Sequence, residues 1–269
     1  MLLHSKEDLL AYTHLWQGER FKDDRPKVPD EILKRMELAT IEEAWGILQR
    51  HDYRNQFEGN WYNLHPERVL VGRAVTAAFT PLRPDLQEII QAVGEKEGRI
   101  GGQNSWVIDT LVEGDVIVVD LFGKVKDGTF AGDNLATSIA TRTKRGMVIH
   151  GGIRDLAGIY PIPNFGVFVR GIDPSAIANV TLASINLPIR INQVTVMPGD
   201  VVLGTREGVI FIPPHLAEEV VEHSEITRLR DEFGHQRLRE GRYTPGEIDR
   251  PWTPKIEADF DEWKKGRGL

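Results

Sequence analysis

Short apolar runs bounded by glycine, proline and aspartate recur through the middle of the chain. Such runs are typical of buried strands, and we predict strands at 69–79, 114–123, 147–150, 166–170, 189–197, 201–205 and 209–212. Helical spacing of apolar residues separates some of these runs and predicts helices at 84–93 and 134–144. Strands that alternate with single helices indicate an α/β fold with a core spanning about 68–213.

The segment before this core is predicted to be helical after a polar start. Residues 1–28 are polar and are expected to form an arm or loop rather than core. Asp30 is a candidate N-cap for a helix over 31–50, with an interruption near Thr40. Residues 51–68 are aromatic, polar and rich in turn-forming residues, which predicts an irregular loop.

The segment after the core is also predicted to be helical. A long helix begins after Pro213-Pro214 and continues past Arg237. The tail at 242–269 carries two tryptophans and a short acidic helix, so it is expected to pack on another surface. We therefore divide the chain into an N-terminal helical extension, a core and a C-terminal helix with its tail, at 1–67, 68–222 and 223–269.

Composition narrows the classes of function. Of the 269 residues, 41% are hydrophobic, which is enough for a buried core. The 33 Lys and Arg against 40 Asp and Glu leave a net charge of −7, which argues against binding along a nucleic-acid backbone. The absence of cysteine excludes disulfides, thiolate catalysis and iron–sulfur clusters. With no signal-peptide pattern and no run of about 18 apolar residues, we expect a cytoplasmic protein without a membrane span.

The first candidate for chemistry is Gly132-Asp133-Asn134-Leu135, where a loop meets a predicted helix. First-turn N–H groups lack intrahelical acceptors and carry the positive end of the helix dipole, so they can hold a carboxylate or phosphate. Gly132 has no Cβ and would let a ligand approach the backbone. Taken alone, such a segment is more often an ordinary capped helix start.

The second candidate follows the predicted strand at 147–150. Gly151 and Gly152 permit a positive φ and a tight bend, and Arg154 and Asp155 come two residues later. This order places them at the carboxyl edge of the sheet, where open α/β sheets usually bind ligands. Arg154 offers a planar fork for a carboxylate or enolate, and Asp155 offers a hard oxygen ligand for Mg²⁺ or Mn²⁺. A surface salt bridge or a helix-start aspartate is the competing explanation.

Together the two segments supply amide donors, a cationic clamp and a metal ligand. A 2-oxo acid needs this combination, because its carboxylate and keto oxygens chelate the metal while fixed donors neutralise the enolate formed when a C–C bond breaks. We therefore predict that Gly132 to Leu135 and Arg154-Asp155 form one divalent-metal site that binds a small oxo-acid.

These residues and their surroundings resemble the RraA-like family, which includes the 4-hydroxy-4-methyl-2-oxoglutarate/4-carboxy-4-hydroxy-2-oxoadipate aldolases. The resemblance rests on GDNL followed, 22 positions after its glycine, by Arg-Asp, and on GDVIVVD, GMVIHGGIRD, VFVRGIDP and VMPGDVVLGTREGVIFIP. It covers roughly 68–222 and is specific for the family, not for one substrate. Aromatic segments at 60–65 and 103–106 are candidates for lining a pocket, although hydrophobic packing is the simpler explanation.

The resemblance implies a β/β/α sandwich of the swivelling-domain type, assembled as a homotrimer or a dimer of trimers with sites between subunits. It implies that Gly132 to Leu135 and Arg154 bind substrate and that Asp155 binds the metal. Asp133 would hold a metal-bound water, so Arg154 and Asp133 are the catalytic candidates. A carboxylate from a neighbouring subunit's C-terminal helix is expected to help orient water, and the candidates are Glu225, Asp231 and Glu232.

The implied activity is that of a class II-type aldolase, a lyase using Mg²⁺ or Mn²⁺. It would cleave a 2-oxo acid by a retro-aldol reaction through pyruvate enolate, with oxaloacetate decarboxylation as a side activity. One alternative is a dehydratase, hydratase or isomerase acting on a sugar acid or other hydroxy-acid at the same metal site. A second alternative is a non-catalytic ribonuclease-binding regulator. The family's regulators are expected to lack the aspartate of the Arg-Asp pair, so Asp155 favours an enzyme.

Overall fold

The computed structural model of the protein describes residues 6–268, with side chains from Glu7 onward. The chain forms two compact units, Met1–Val220 and Val221–Leu269. Its helices are α1 (Lys6–Tyr12), α2 (Asp30–Met36), α3 (Ile41–Arg50), α4 (Pro84–Lys96), α5 (Gln103–Ile108), α6 (Asp133–Thr143), α7 (Leu156–Ile159), α8 (Ala217–Arg239), α9 (Pro245–Ile248) and α10 (Pro254–Gly266). None of the helices among residues 6–268 is both long enough and apolar enough to cross a membrane.

The first unit contains the strands β1 (Phe57–Glu58), β2 (Tyr62–Asn63), β3 (Leu70–Pro81), β4 (Asp115–Ala131), β5 (Gly146–Ile153), β6 (Gly166–Ile172), β7 (Val180–Ile185), β8 (Ile189–Ile191), β9 (Val194–Val196), β10 (Val201–Gly204) and β11 (Val209–Ile212). A mixed sheet has the order β1-β11-β10-β3-β4-β5-β6-β2, and β7 also pairs with β3. Its centre, β3 to β6, is parallel. The strands β8 and β9 form a separate hairpin.

Both faces of the parallel centre are buried, which explains its nearly continuous apolar runs. On one face, Ile117, Val119 and Ile149 pack in a cluster with Ile139 of α6 and Trp106 of α5. On the other face, a second cluster joins alternate sheet residues to the β8–β9 hairpin, through Val116, Val118, Val148, Ile191 and Val196. Helices, sheet and hairpin therefore form three layers, which agrees with the predicted β/β/α architecture.

The N-terminal segment differs from its prediction as an arm or loop. It contains α1, and Leu9, Arg25 and Val28 are buried. The guanidinium of Arg25 donates to both carboxylate oxygens of Asp115, at 3.0 and 3.2 Å. A polar segment can enter the core because its charge meets an opposite charge ninety residues further along the chain. No local pattern in the sequence marks this long-range pairing.

The predicted interruption near Thr40 is confirmed as a boundary between α2 and α3. Thr40 is the N-cap of α3: its hydroxyl accepts the Glu43 N–H at 3.2 Å, and the Glu43 carboxylate accepts the Thr40 N–H at 2.8 Å. This reciprocal capping box starts a new helix. The residue before α2 is Pro29, so Asp30 is its first residue rather than its cap.

Two strand predictions were wrong in extent. The predicted strand at 189–197 is the β8–β9 hairpin, which turns at Asn192 with φ +53°, a conformation that asparagine tolerates better than most residues. The predicted strand at 114–123 continues as β4 to Ala131, with irregular pairing to β5 after Asp120. The strand β7 was not predicted, and the predicted irregular loop at 51–68 contains the short strands β1 and β2.

The predicted bend at Gly151-Gly152 is also wrong. The strand β5 continues through both glycines to Ile153 without a positive φ. A Cβ on Gly151 would lie 2.8 Å from the Leu121 side chain, and one on Gly152 would lie 2.9 Å from the Val125 carbonyl oxygen. The glycines are needed because β4 passes close above the strand, not because the strand turns.

The second unit has its own aromatic core. Phe233 of α8 contacts Trp252, Phe260 and Trp263 at centroid distances of 5.2, 5.4 and 5.8 Å. Beside this cluster, Arg237 donates to both oxygens of Asp259 at 2.9 and 2.7 Å. The two tryptophans of the tail therefore pack within this unit, and the predicted short acidic helix is α10.

Candidate active site

The first half of the candidate site is the junction between β4 and α6. Gly132 is extended, with φ −103° and ψ −167°, and its carbonyl accepts the first helical hydrogen bond, from Ala136 N–H at 2.9 Å. The N–H groups of Asp133 to Leu135 therefore form the first turn, which has no intrahelical acceptors. The Asp133 carboxylate accepts the Asn134 N–H at 2.8 Å. This start of α6 carries the donors and the positive dipole end predicted for it.

The second half is the junction between β5 and α7. The Arg154 N–H donates to the Ala131 carbonyl at 3.1 Å and so fastens this junction to the end of β4. Asp155 has φ +58°, a left-handed conformation that aspartate adopts more readily than most residues. Its carbonyl accepts the N–H groups of Gly158 and Ile159 at 2.9 and 3.2 Å, which turns the chain into α7.

The two junctions converge on each other. A Cβ on Gly132 would lie 2.4 Å from Asp155 Oδ2 and 3.2 Å from Arg154 Nε, and one on Gly158 would lie 2.6 Å from Asp133 Cβ. The residues predicted from the two motifs therefore meet in space. Because Gly132 lacks a Cβ, the carboxylate of Asp155 can lie against its backbone. The sequence predicts that a ligand approaches this glycine, whereas in the structure Asp155 itself does so.

The polar groups of this site remain open to solvent. Arg154 Nε lies 3.2 Å from Asp155 Oδ2, and the two side chains are 40% and 46% exposed. Because this single contact leaves most of the guanidinium and the second carboxylate oxygen unused, both side chains can bind a ligand. Asp133 is partly buried beside Gly158 and is the second carboxylate at this position.

The donor set suits one type of metal site. Among residues 6–268, no group of three or more His, Cys, Asp or Glu side chains is arranged to hold an ion. Zinc sites with three or four protein ligands therefore do not match these residues. Mg²⁺ is commonly held by one or two carboxylates, with water and substrate oxygens completing the octahedron. Asp155, with Asp133 nearby, fits this second pattern.

Asn104 is a positioning residue that the sequence did not single out. It lies in α5, is 8% exposed, and its side-chain amide donates to the Phe130 carbonyl at 2.8 Å. This bond holds the end of β4 two residues before Gly132. Within the segment 103–106, which is a candidate for pocket lining, Trp106 is buried in the core. Gln103 and Ser105 beside Asn104 are polar as well, so residue type alone does not distinguish Asn104.

The aromatic segment 60–65 contributes packing. The guanidinium of Arg170 lies 3.9 Å from the centroid of the Trp61 ring, and the His65 ring lies 4.7 Å from that of Tyr160, which follows α7. Packing contacts therefore account for the Trp61 and His65 rings, which favours hydrophobic packing over pocket lining for these two side chains.

The C-terminal carboxylates belong to the second unit. There Glu232 accepts a hydrogen bond from Arg267 at 2.9 Å. The expectation that Glu225, Asp231 or Glu232 completes the site of a neighbouring subunit stays a prediction.

Comparison with known proteins shows to which family the chain belongs. A family model described as RraA-like, Aldolase/RraA, matches residues 38–211. The chain belongs to the RraA-like family. The match begins earlier than the predicted core and takes in α3. Both converging junctions lie within it.

Individual relatives share about one third of the aligned residues with this chain, over about half of its length. Protein DlpA of Legionella pneumophila is 34% identical over 139 residues, which are 51% of this chain and 22% of DlpA. A Halalkalibacterium halodurans protein, provisionally named 4-hydroxy-4-methyl-2-oxoglutarate aldolase, is 33% identical over 134 residues, which are 49% of this chain and 63% of that protein. The chain thus spans less than two thirds of the length of either relative.

A solved structure supports the RraA-like fold. Streptomyces coelicolor RraAS2, described as an unusual member of the RNase ES inhibitor RraA protein family, superposes with a TM-score of 0.66 at 20% identity. The superposition covers 81% of this chain and 98% of RraAS2. The predicted α/β fold of the RraA-like type is confirmed.

Proposed function

We propose that this chain is a divalent-metal-dependent lyase that cleaves a small 2-oxo acid by a retro-aldol reaction through pyruvate enolate. Two lines support the proposal. RraA-like relatives carry the name 4-hydroxy-4-methyl-2-oxoglutarate aldolase. The observation that carries it is the convergence of Gly132, Arg154 and Asp155, which places amide donors, a guanidinium and a carboxylate around one point.

The start of α6 would bind the carboxylate of the substrate. Its first-turn N–H groups and the positive end of the helix dipole both favour an anion there. The guanidinium of Arg154 would donate to the keto oxygen and neutralise the negative charge that develops on it. A ground-state ketone carries little charge and the enolate carries a full one, so this contact strengthens as the reaction proceeds.

The C–C bond breaks between the hydroxyl-bearing carbon and the carbon next to the keto group. The bonding electrons enter the enolate of pyruvate, and the hydroxyl-bearing carbon becomes a carbonyl as its O–H proton leaves through water. Asp133 would orient that water and accept the proton. Proton return to the enolate then gives pyruvate. Oxaloacetate would lose CO₂ through the same enolate, which makes decarboxylation the expected side activity.

Asp155 would hold Mg²⁺ or Mn²⁺ at this position. When bound, the ion supplies Lewis-acid polarisation of the keto oxygen. The half-exposed carboxylate, and the lack of a third carboxylate or histidine ligand among the described residues, suit an ion that keeps several waters and binds together with its substrate.

The test is pyruvate release from 4-hydroxy-4-methyl-2-oxoglutarate and from oxaloacetate, with added Mg²⁺ or Mn²⁺. We expect Asp155→Ala to lower kcat/KM by at least about 100-fold, as loss of a metal ligand does, and EDTA to abolish turnover. Asp109→Asn, which alters an exposed ion pair with Arg142, is the matched control. Full activity in Asp155→Ala, or after EDTA, would refute the proposal.

We also propose that the chain acts as a homotrimer or a dimer of trimers. This proposal rests on family membership, and sedimentation velocity tests it directly. A monomer that turns over substrate at full rate would contradict it.

A further inference from the structure

A cavity separate from the candidate active site lies within the first unit. It has a volume of about 340 Å³ and is bounded by the segment after α1, by Tyr53, by the turn before β10, and by Pro213 to His215. Its wall is mainly apolar and aromatic, with Tyr12, Leu15, Trp16 and Met197 among its residues. This size suits a small organic molecule.

Asp200 lines this cavity and differs from the other buried carboxylates. Four Asp or Glu residues among those described are buried: Glu58, Asp115, Asp200 and Asp259. Three of them pair with an arginine, namely Arg170, Arg25 and Arg237. Among the side chains of residues 7–268, Asp200 makes no ion pair with any cation, and its carboxylate accepts one hydrogen bond, from Met197 N–H to Oδ2 at 2.8 Å.

A buried carboxyl group without a cation is unfavourable when ionised. Burial raises the pKa of Asp200 to about 8. Charge compensation is therefore lacking in the protein as described, and a bound cation would supply it.

Tyr53 and His215 line the cavity together with Asp200. The Tyr53 hydroxyl lies 3.4 Å from His215 Nε2, and burial lowers the pKa of His215, with His51 and His14 acting in the same direction. His51 is itself bonded to Glu219 at 2.8 Å. The neutral imidazole of His215 can accept the Tyr53 proton, which leaves the phenolic oxygen free to accept a hydrogen bond from a ligand.

We propose that this cavity binds a small aryl-alkyl ammonium ion. The ammonium group would donate to Asp200 Oδ1 and to the phenolic oxygen of Tyr53. The rings of Tyr12, Trp16 and Tyr53 favour a cation through their faces, and the aryl end would displace water from the apolar wall. An anion would be repelled by Asp200, and a neutral molecule would leave the buried carboxyl group uncompensated.

The experiment compares two ligands of nearly equal shape, 2-phenylethylammonium and 2-phenylethanol, by isothermal titration calorimetry on the full chain at about pH 8.5. We expect the ammonium ion to bind at least about tenfold more tightly, a difference of 1.4 kcal/mol. In Asp200→Asn this preference should disappear while the alcohol still binds. Asn keeps an acceptor for Met197 N–H, and thermal melting monitors the fold of the variant.

Tyr53→Phe provides a second variant in case Asp200→Asn does not fold. It should lower the affinity for the ammonium ion about fivefold by removing one acceptor and leave the alcohol nearly unaffected. Equal affinities of the two ligands for the wild-type protein would overturn the proposal, as would absence of ammonium binding up to about 10 mM, weaker than a typical small-molecule site. A preference that survives in Asp200→Asn would overturn it too. Lyase activity does not enter any of these measurements.

Discussion

Arg25–Asp115 and Arg154–Asp155 pair the same two residue types in opposite environments. The first pair is 1% and 0% exposed, with both carboxylate oxygens bonded to the guanidinium and Asp23 adding a contact to Arg25 at 2.7 Å. The second pair is 40% and 46% exposed and makes one contact of 3.2 Å.

The difference distinguishes charged groups that hold the fold together from charged groups that remain open to a ligand. A buried, fully bonded pair holds two segments together, and breaking it leaves an uncompensated charge in the core. An exposed pair is weakened by solvent and contributes little to stability, so its groups remain available to a ligand. The sequence presents both pairs as ordinary Arg and Asp residues, and only their surroundings distinguish them.

The largest expected loss of stability comes from breaking the buried pair. Asp115→Ala should lower the free energy of unfolding by about 3–5 kcal/mol, because Arg25 would remain buried without its counter-ion. Urea denaturation measures the change. Asp155→Asn, which keeps the shape and the left-handed tolerance of the residue, should change stability by less than about 0.5 kcal/mol. Equal losses in the two variants would erase the distinction.

Gly132→Ala should lower activity at the candidate site with little change in the free energy of unfolding. The new Cβ would come within 2.4 Å of Asp155 Oδ2, so the carboxylate must move, and a displacement of about 1 Å can cost about 100-fold in rate. The free energy of unfolding should change by less than about 1 kcal/mol, because the side chains that move are exposed. Measurements of kcat/KM and of unfolding by urea test this prediction.

Gly46→Ala is the control for that substitution. A Cβ at Gly46 meets nothing within 4 Å, and the residue lies inside α3. Gly46→Ala should raise the free energy of unfolding by about 0.5–1 kcal/mol and leave kcat/KM unchanged. Normal activity in Gly132→Ala would mean that the convergence of the two junctions is not needed for turnover.

Asp200 extends the comparison to a buried carboxyl group that has no arginine. Its folded pKa is about 8 against an ordinary 3.8, so the folded state binds more protons than the unfolded state between these values. Its contribution to stability is fully present below about pH 4 and is lost as the pH rises through 8.

Asp200→Asn removes this titration. We expect its stability relative to the wild-type protein to increase with pH from about 4 to 8, by at most about 1.4 kcal/mol per pH unit, and then to level off. Urea denaturation across this range gives the slope. A stability difference that does not vary with pH would show that Asp200 ionises normally.

The smallest effect is expected at the exposed pair Arg142–Asp109, whose contact is 2.9 Å. Neither residue belongs to the two junctions that form the candidate site. Asp109→Asn should change the free energy of unfolding by less than about 0.5 kcal/mol and leave kcat/KM within about twofold. A large effect on activity here would indicate that the candidate site has been placed at the wrong pair.

Much of the fold follows from local patterns. The predicted strand at 209–212 coincides with β11, and the helix predicted at 134–144 begins and ends within one residue of α6. Each has a strong apolar period or clear boundary residues. The predictions failed where a distant partner decides the structure, as in the burial of Arg25 and Val28 and in the continuation of β5 through its two glycines.

By itself, the sequence determined the α/β class, the family and the residues of the candidate site, because apolar spacing and short motifs are local properties of the chain. Only the tertiary structure decided that Gly132 makes room for Asp155, that Arg25 neutralises Asp115 and that Asp200 forms no ion pair with the described side chains. The first two contacts join residues that are 23 and 90 positions apart. Asp200 is buried without an ion-pair partner among the described side chains. Burial and charge pairing across such separations depend on how the layers pack, and no periodicity along the chain encodes them.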